Sequence, residues 1–349
     1  MTFRFVHRAY PRIELLLFIV ALLGAPGVEA ACSVSAASAN LGSYTSLALE
    51  SAPTGDTQTA SGLACDPGLI GIGTPAHIKA LIESGLPGGS GVLTGPDGIT
   101  VSFRLATSAG GAPLGNGDEV VFVSQTALIS ALLGLFSGPN SSIPMYVRAG
   151  PGSALKAGVY TGVVAVRWYY YTCSGIGALG ICLGQSSSPG FTVNLLTGQV
   201  TNWGSGQATL INISLIVTAD CLIDAPDIDF GSAPLVSVFN PVTQTINVRC
   251  TRDQAYQVGL TDGLHALNGQ RLLQGGSGSL AYEIYKSGTT ARWGGLGSER
   301  RSNTDADVNA GTPDGTSSQG FVYRAEISAS QSTPPPGVYV DSVQVTVEF

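Results

Sequence analysis

One cysteine–glycine spacing occurs twice in this chain, and it constrains the fold more than any other feature. In ACSVSAASANLGSYT, Cys32 stands ten residues before Gly42; in DCLIDAPDIDFGSAP, Cys221 stands ten residues before Gly231. A second cysteine follows the first by 33 residues in one copy (Cys65) and by 29 in the other (Cys250). Far downstream, AGVYTGVVAVRWYY (157–170) matches PGVYVDSVQVTVEF (336–349): Gly158-Val159-Tyr160 recurs as Gly337-Val338-Tyr339, and Val164 and Val166 fall on Val343 and Val345. A shared beginning and a shared end mean two copies of one module. The repeat also selects a disulfide pairing. Cys32–Cys65 and Cys221–Cys250 become equivalent bridges, leaving Cys173–Cys182 to close a loop that only the first copy has.

The modules read as β structure. Glycine is abundant at 47 residues, and short runs such as QTINVRC and YQVGL are separated by Gly, Pro and Asp turns. That pattern suggests two antiparallel sandwiches. Residues 1–30 read as a cleaved signal peptide: Arg4, Arg8 and Arg12 precede the apolar run Leu15–Leu23, and small residues at Val28 and Ala30 offer a cleavage site. A retained anchor is the alternative, although the apolar run is short for a membrane span. All six cysteines lie beyond that segment, as expected in an oxidising compartment. The formal net charge of −7, with no basic cluster, argues against a nucleic-acid partner.

The copies are unequal in strand count. After its Gly-Val-Tyr strand the first copy continues into ATLINISLIVTA (208–219), where Ile211, Ile213, Leu215, Val217 and Ala219 alternate with a mixed second face. The second copy has no counterpart after Tyr339, Val343, Val345, Val347 and Phe349, a face interrupted only by Asp341. The first copy can therefore be closed by an extra strand, whereas the second is expected to be one strand short. Closure of the second copy by an earlier strand is the alternative. A missing strand leaves an apolar groove and an unpaired edge, which a strand from another chain can fill.

The second copy resembles a spore coat protein U domain, through DFG (229–231), VRC (248–250), YQVGL (256–260), LAYEIY (280–285), RWG (292–294) and PPGVYVDSVQVTVEF (335–349). The first copy matches only at its two ends. A two-domain chain of this kind is similar to the tip adhesins of archaic (Csu-type) chaperone–usher pili. The resemblance implies an all-β chain of two immunoglobulin-like antiparallel β-sandwich domains, the C-terminal one lacking its final strand. It implies a signal peptide (1–30), an N-terminal adhesin domain (31–219) and a C-terminal pilin domain (220–349). The implied partners are a periplasmic pilus chaperone, an outer-membrane usher, an adjacent pilin subunit, and an abiotic or host surface met in biofilm formation. The acceptor edge would be Tyr339, Val343, Val345, Val347 and Phe349. A shaft subunit of such a pilus carries a donor extension before its first cysteine. Here Cys32 directly follows the expected mature start at Ala31, so the expectation is an exported subunit at the distal end of the fibre.

Signals for catalysis are poor, and neither a cofactor nor a metal is expected. Beyond the signal segment only His77 and His265 occur, and both are expected in solvated loops. GIGTPA (71–76) fits a dinucleotide fingerprint only loosely, and the following HIKALIESG could form a short helix capped by Thr74. The acidic run DAPDIDF (224–230) lacks EF-hand spacing. Apolar loops are the sharper candidates for surface binding. They comprise Leu69, Ile70 and Ile72; Leu132, Leu133, Leu135 and Phe136; and Ile176, Leu179 and Ile181 inside the Cys173 loop, with Leu183 just outside. For the stretch around Phe136, a short helix plugging one end of the sandwich is the competing expectation. The alternative function is a structural coat or pilus matrix subunit without adhesive function, with an exported carbohydrate-active protein third.

Overall fold

The structure is a computed structural model and is described for residues 32–65, 75–126, 134–174, 184–194 and 197–349. The expected leader, 1–30, lies outside the described residues. The first half of the chain forms β1 (Cys32–Val34), β2 (Ala37–Thr45), α1 (Ser46–Ser51), β3 (Thr57–Cys65), β4 (Pro75–Ser84), β5 (Gly91–Thr94) and β6 (Thr100–Ala106). It continues with β7 (Glu119–Thr126), β8 (Ser142–Ala149), β9 (Gly158–Ser174), β10 (Gly184–Ser187), β11 (Thr192–Val193), β12 (Val200–Asn202) and β13 (Gln207–Thr218). The second half forms β14 (Cys221–Asp224), β15 (Val242–Cys250), β16 (Gln257–Leu260), β17 (Arg271–Gly275), β18 (Gly278–Lys286), β19 (Arg301–Ser302), β20 (Gln319–Ile327) and β21 (Val345–Glu348).

Two separate cores follow the repeat. One gathers Leu63, Ile78, Phe103, Tyr160, Trp168 and Leu215; the other gathers Val248, Val258, Tyr282, Trp293, Phe321 and Tyr323. Each is a β-sandwich, as the period-2 patterning requires. The first sheet curls round in the order β1-β3-β8-β6-β5-β9-β13-β2, with β4 and β10 also on β9 and β7 on β4. The second unit splits into β14-β15-β20-β18-β17 and β19-β16-β21.

The repeat is visible at the level of register. Cys32↔Cys65 and Val34↔Leu63 between β1 and β3 recur as Cys221↔Cys250 and Ile223↔Val248 between β14 and β15. Ile82↔Val166 and Ala80↔Trp168 between β4 and β9 recur as Leu260↔Val345 and Val258↔Val347 between β16 and β21. Both expected bridges are present: Cys32–Cys65 with Cα atoms 4.1 Å apart, and Cys221–Cys250 at 4.0 Å. Cys173 is also disulfide-bonded, and its expected partner Cys182 lies outside the described residues.

Three expectations are corrected. The segment 75–84 is strand β4 and not a helix, with Ala76, Ile78, Ala80 and Ile82 at no more than 1% exposure on the core face. His77 accordingly sits on a strand at 1% exposure, not in a solvated loop. Phe136 is a core residue at 4% exposure, and Leu135 packs against the same core. Side chains turned to the core in this way are unavailable to a surface, so Phe136, and Leu135 beside it, leave the list of binding candidates.

The units meet at a polar junction. The Ser46 and Thr251 hydroxyls are 2.6 Å apart, and Arg249 donates to Glu50 at 2.7 Å. Lys156 pairs with Asp97 at 2.7 Å and with Asp253 at 3.5 Å.

Candidate functional site

The two sandwiches differ at one place. In the first, β13 lies between β9 and β2, antiparallel to β9 from Gln207↔Trp168 to Val217↔Gly158 and parallel to β2 from Ile211↔Ala37 to Thr218↔Thr45. Its inward residues Ile211, Ile213, Leu215 and Val217 are at most 2% exposed. Burial of each contributes about 1.5–3 kcal/mol.

In the second sandwich the counterparts of β2 and β9 are segments 226–234 and 337–348. Segment 226–234 forms no strand, and 337–344 makes the isolated bridge Gln274↔Val340 and single bonds from the Leu264 amide to the Ser342 carbonyl and from the Thr261 amide to the Gln344 carbonyl, but no ladder before β21 begins. Between the two segments runs a cleft of about 700 Å³. Ile228 and Phe230 line one wall, Tyr339 and Val343 the other, and Leu280 and Ile284 lie at its base. Backbone that has no ladder partner does not register as strand, so the missing neighbour explains both irregular walls. Of the expected acceptor residues, Tyr339, Val343 and Val345 line the cleft. Val347 packs on the same core, and Phe349 is 60% exposed at the end of the row.

Asp341 is the polar member of this row. Its side chain is 1% exposed and accepts a hydrogen bond from the Tyr282 hydroxyl at 2.7 Å and from the His265 amide at 3.1 Å, with His265 Nδ1 at 3.2 Å. Burial, and then the carboxylate beside it, hold the Tyr282 phenol well above the usual tyrosine range. Gly162 holds the equivalent place in the first sandwich, where an added Cβ would lie 2.9 Å from Leu93 Cδ2 and 3.2 Å from Phe103 Cε1. The phenylalanine–glycine pair of one unit is thus a tyrosine–aspartate pair in the other.

A second feature lies at the opposite end of the first sandwich from the junction. Leu69, Ile70, Ile72, Leu132, Leu133, Ile176, Leu179, Ile181 and Leu183 lie outside the described residues. The residues that flank them do not, and they converge. Pro75 pairs with Thr126, His77 with Tyr171, and Gly184 with Ser174. Cys32, bridged to Cys65, places its sulfur 3.2 Å from the Thr172 hydroxyl. The described residues Cys65, Pro75, Thr126, Ser174 and Gly184, which border segments 66–74, 127–133 and 175–183, therefore lie at one end of the sheet.

A brace beside that end was missed in the sequence. On the outer face of β4 and β9, Lys79 pairs with Glu119 at 2.9 Å and lies over the rings of Tyr169 (4.9 Å) and Trp203 (4.6 Å). The Phe191 and Trp203 rings, which flank the β11–β12 hairpin, meet edge-to-face at 5.1 Å, and His77 Nε2 is 2.8 Å from the Gly198 carbonyl oxygen. The signal was the run RWYYYTC (167–173), which is bulky on both faces and so needs cover on both. Among the described residues, no group of three or more His, Cys, Asp or Glu side chains is placed to hold a metal.

Comparison with known proteins agrees with this geometry. The chain is similar, at 31% identity and a TM-score of 0.67, to the crystal structure of the CsuC-CsuE chaperone-tip adhesion subunit pre-assembly complex from archaic chaperone-usher Csu pili of Acinetobacter baumannii; the match covers 91% of this chain and 100% of that one. Looser likenesses are to the CupB6 tip adhesin from Pseudomonas aeruginosa (12% identity, TM-score 0.30, covering 92% of this chain and 94% of that one) and the P pilus rod subunit PapA (17%, 0.27, covering 37% and 97%). These two superpose too weakly to bear on function. Curated protein sequences give no match. The model of the Spore Coat Protein U domain matches twice, over residues 19–167 and 207–346, so each sandwich carries one match and the chain belongs to that family.

Proposed function

We propose that this chain is a subunit of a chaperone–usher pilus and serves as its tip adhesin. The observation that carries the proposal is the cleft of about 700 Å³ between 225–232 and 337–345, bounded by the counterparts of the two strands that hold β13 in the first unit. A groove with two open edges and an apolar base takes an extended segment from another chain through backbone hydrogen bonds and side-chain pockets. The occupant is first a periplasmic chaperone and then the adjacent pilin, delivered at an outer-membrane usher. Support comes from the similar chain of the chaperone-tip adhesion subunit complex. The proposed division is a signal peptide (1–30), an adhesin domain (31–219) and a pilin domain (220–349); the gap between the two cores, which falls between Val217 and Cys221, supports the boundary near residue 219.

The first unit is closed by its own strand and leaves its loop-bearing end free. Leu69, Ile70, Ile72, Leu132, Leu133, Ile176, Leu179, Ile181 and Leu183 are the surface-binding residues of this proposal, carried by a braced sheet toward an abiotic or host surface. A fixed platform limits the entropy lost on contact. The exported chain then sits at the distal end of the fibre and supports biofilm formation.

The test is calorimetry of the full chain, alone and with its chaperone or a donor-strand peptide. Ligand at about one hundred times its Kd stabilises the unit that binds it by about 2.7 kcal/mol. The second unit's transition is expected to move up and the first unit's to stay. A second unit that unfolds at the same temperature with and without donor would overturn the proposal.

A further inference from the structure

The empty groove and the filled one differ in charge on their solvent side. Counting from the repeated cysteine, Ser38 and Asn40 of β2 correspond to Asp227 and Asp229. Asn40 and Asp229 make the same turn, each side-chain oxygen accepting from the amide two residues on: Gly42 at 2.9 Å and Gly231 at 2.7 Å. All four residues are exposed, and they alternate with neighbours turned to a core: Ala37, Ala39 and Leu41 in one unit, Ile228 and Phe230 in the other. In the first unit β13 places Asn212 opposite Ser38 and Ser214 opposite Asn40. Nothing in that pairing is charged. In the second unit the same two levels present a carboxylate each, on the rim of the open cleft.

No cation of this chain answers them. On the facing wall, counting from the repeated Gly-Val-Tyr, Val163 and Thr161 opposite Asn212 and Ser214 become Ser342 and Val340. Residues 220–349 contain eight basic side chains, and each is engaged elsewhere, Arg249 by Glu50, Arg300 by Glu348 and Arg324 by Glu326 among them. Among the described residues, neither Asp227 nor Asp229 has a salt-bridge partner. Opposite charges on one face of neighbouring strands attract, and like charges repel. The unanswered pair therefore favours a guest that brings positive charge to the outer face. The direction of β13 says which guest this is. β13 ends at Thr218 and the next module begins with β14 at Cys221, so a strand running as β13 does opens onto a following module.

Resting on the acceptor role proposed above, we infer that the strand inserted by the adjacent pilin carries lysine or arginine on its outer face, at the two positions where β13 carries Asn212 and Ser214. Asp227 and Asp229 receive these side chains. The apolar inner face of a guest decides whether it fits the groove. The outer charges choose among strands that fit and speed their capture, as charges on an interface rim do. β13 is neutral at both positions, so the closing strand of one unit and the guest of the other are told apart by charge.

The experiment uses the full chain and three synthetic peptides: residues 208–219 as they stand, the same with Asn212→Lys and Ser214→Lys, and the same with Asn212→Glu and Ser214→Glu. Affinities are read by fluorescence anisotropy at low salt and at about 1 M salt, where the Debye length falls to about 3 Å. At low salt the lysine peptide is expected to bind roughly three- to tenfold tighter than the parent, the scale of two exposed cross-strand pairs, and the glutamate peptide weaker than the parent. The differences should fade at high salt. They should also fade in Asp227→Ser/Asp229→Asn, which installs the first unit's residues at positions where the first unit shows that they fold. Equal affinities, a preference unchanged by salt, or one that survives in the double variant overturns the inference, and leaves the acceptor role standing because the peptides still bind. Binding of no peptide overturns it too, and the calorimetric test with chaperone then decides the acceptor role. A double variant that changes chaperone affinity while peptide discrimination persists assigns the carboxylates to the chaperone, and likewise overturns it.

Discussion

The first sandwich is finished and the second is not, although both are built on the same register of cysteines and the same Gly-Val-Tyr strand. In the finished one, Ala37–Thr45 is a nine-residue strand; in the other, the matching 226–234 runs with the same spacing and forms none. The local sequences differ less than the outcomes do. A strand at the edge of a cleft is defined by the neighbour it pairs with, and taking away that neighbour removes regular structure from both walls at once. Regular structure in the two walls is therefore a property of the neighbour they lack, not of their own sequence alone.

The comparison breaks most sharply by placing a charge on each side of it. Leu215→Asp in β13 buries an unpaired carboxylate at a site with 0% exposure and is expected to cost about 4 kcal/mol or more, enough to unfold the first unit. Val343→Asp in the open groove should cost the free chain far less, yet abolish binding of any guest strand. Limited proteolysis of the two variants checks both outcomes, and equal damage would mean that the second groove is already closed.

Alkali should separate the units next. Burial pushes Tyr323 up to about 12, and it also raises Tyr256 and Tyr282 of the second core, as it does Tyr160, Tyr170 and Tyr171 of the first. A phenol whose folded value lies above its unfolded value of about 10 contributes stability that is fully present below that value and is lost as pH rises towards the folded one. The second unit carries the phenols raised furthest, so it should be lost first between about pH 10 and pH 12. Circular dichroism with tyrosinate absorbance follows this, and loss of the first unit at lower pH would reverse the ranking.

The smallest effect on stability is expected at the loop end. Ile176→Ser, Leu179→Ser and Ile181→Ser together should change the unfolding temperature little while removing attachment to an apolar surface in a binding assay. Unaltered attachment would remove these three residues from the adhesive site.

Much of this was legible in sequence because it is carried by patterns with a fixed period. The Cys–Gly spacing located both modules and the pairing of Cys32 with Cys65 and Cys221 with Cys250. The alternation of Ile211, Ile213, Leu215 and Val217 revealed the closing strand. What escaped was cover from far away in the chain. PAHIKALIES has a capping threonine before it, and its alternation of Ala76, Ile78, Ala80 and Ile82 with the outer-face residues His77 and Lys79 is broken at Leu81. That face is buried by Phe191 and Trp203, more than a hundred residues downstream. Local helix signals were overridden by tertiary burial that no short window contains. Phe136 failed for a related reason, because an apolar residue within a run such as LISALLGLF carries no mark of which way its ring will turn.

β13 has a mechanical consequence as well. It runs from the loop-bearing end of the first sandwich to Thr218, and β14 begins at Cys221, so the strand that seals one unit is also its tether to the other. In the proposed role, a pull between a held surface and the rest of a fibre would act along the axis of this strand. It loads the eleven register pairs with β9 in parallel, not one after another from a free end. Bonds loaded together in shear must fail together, whereas bonds peeled from one end fail singly. The sandwich proposed to meet the load is thus sealed by the geometry that would resist it best.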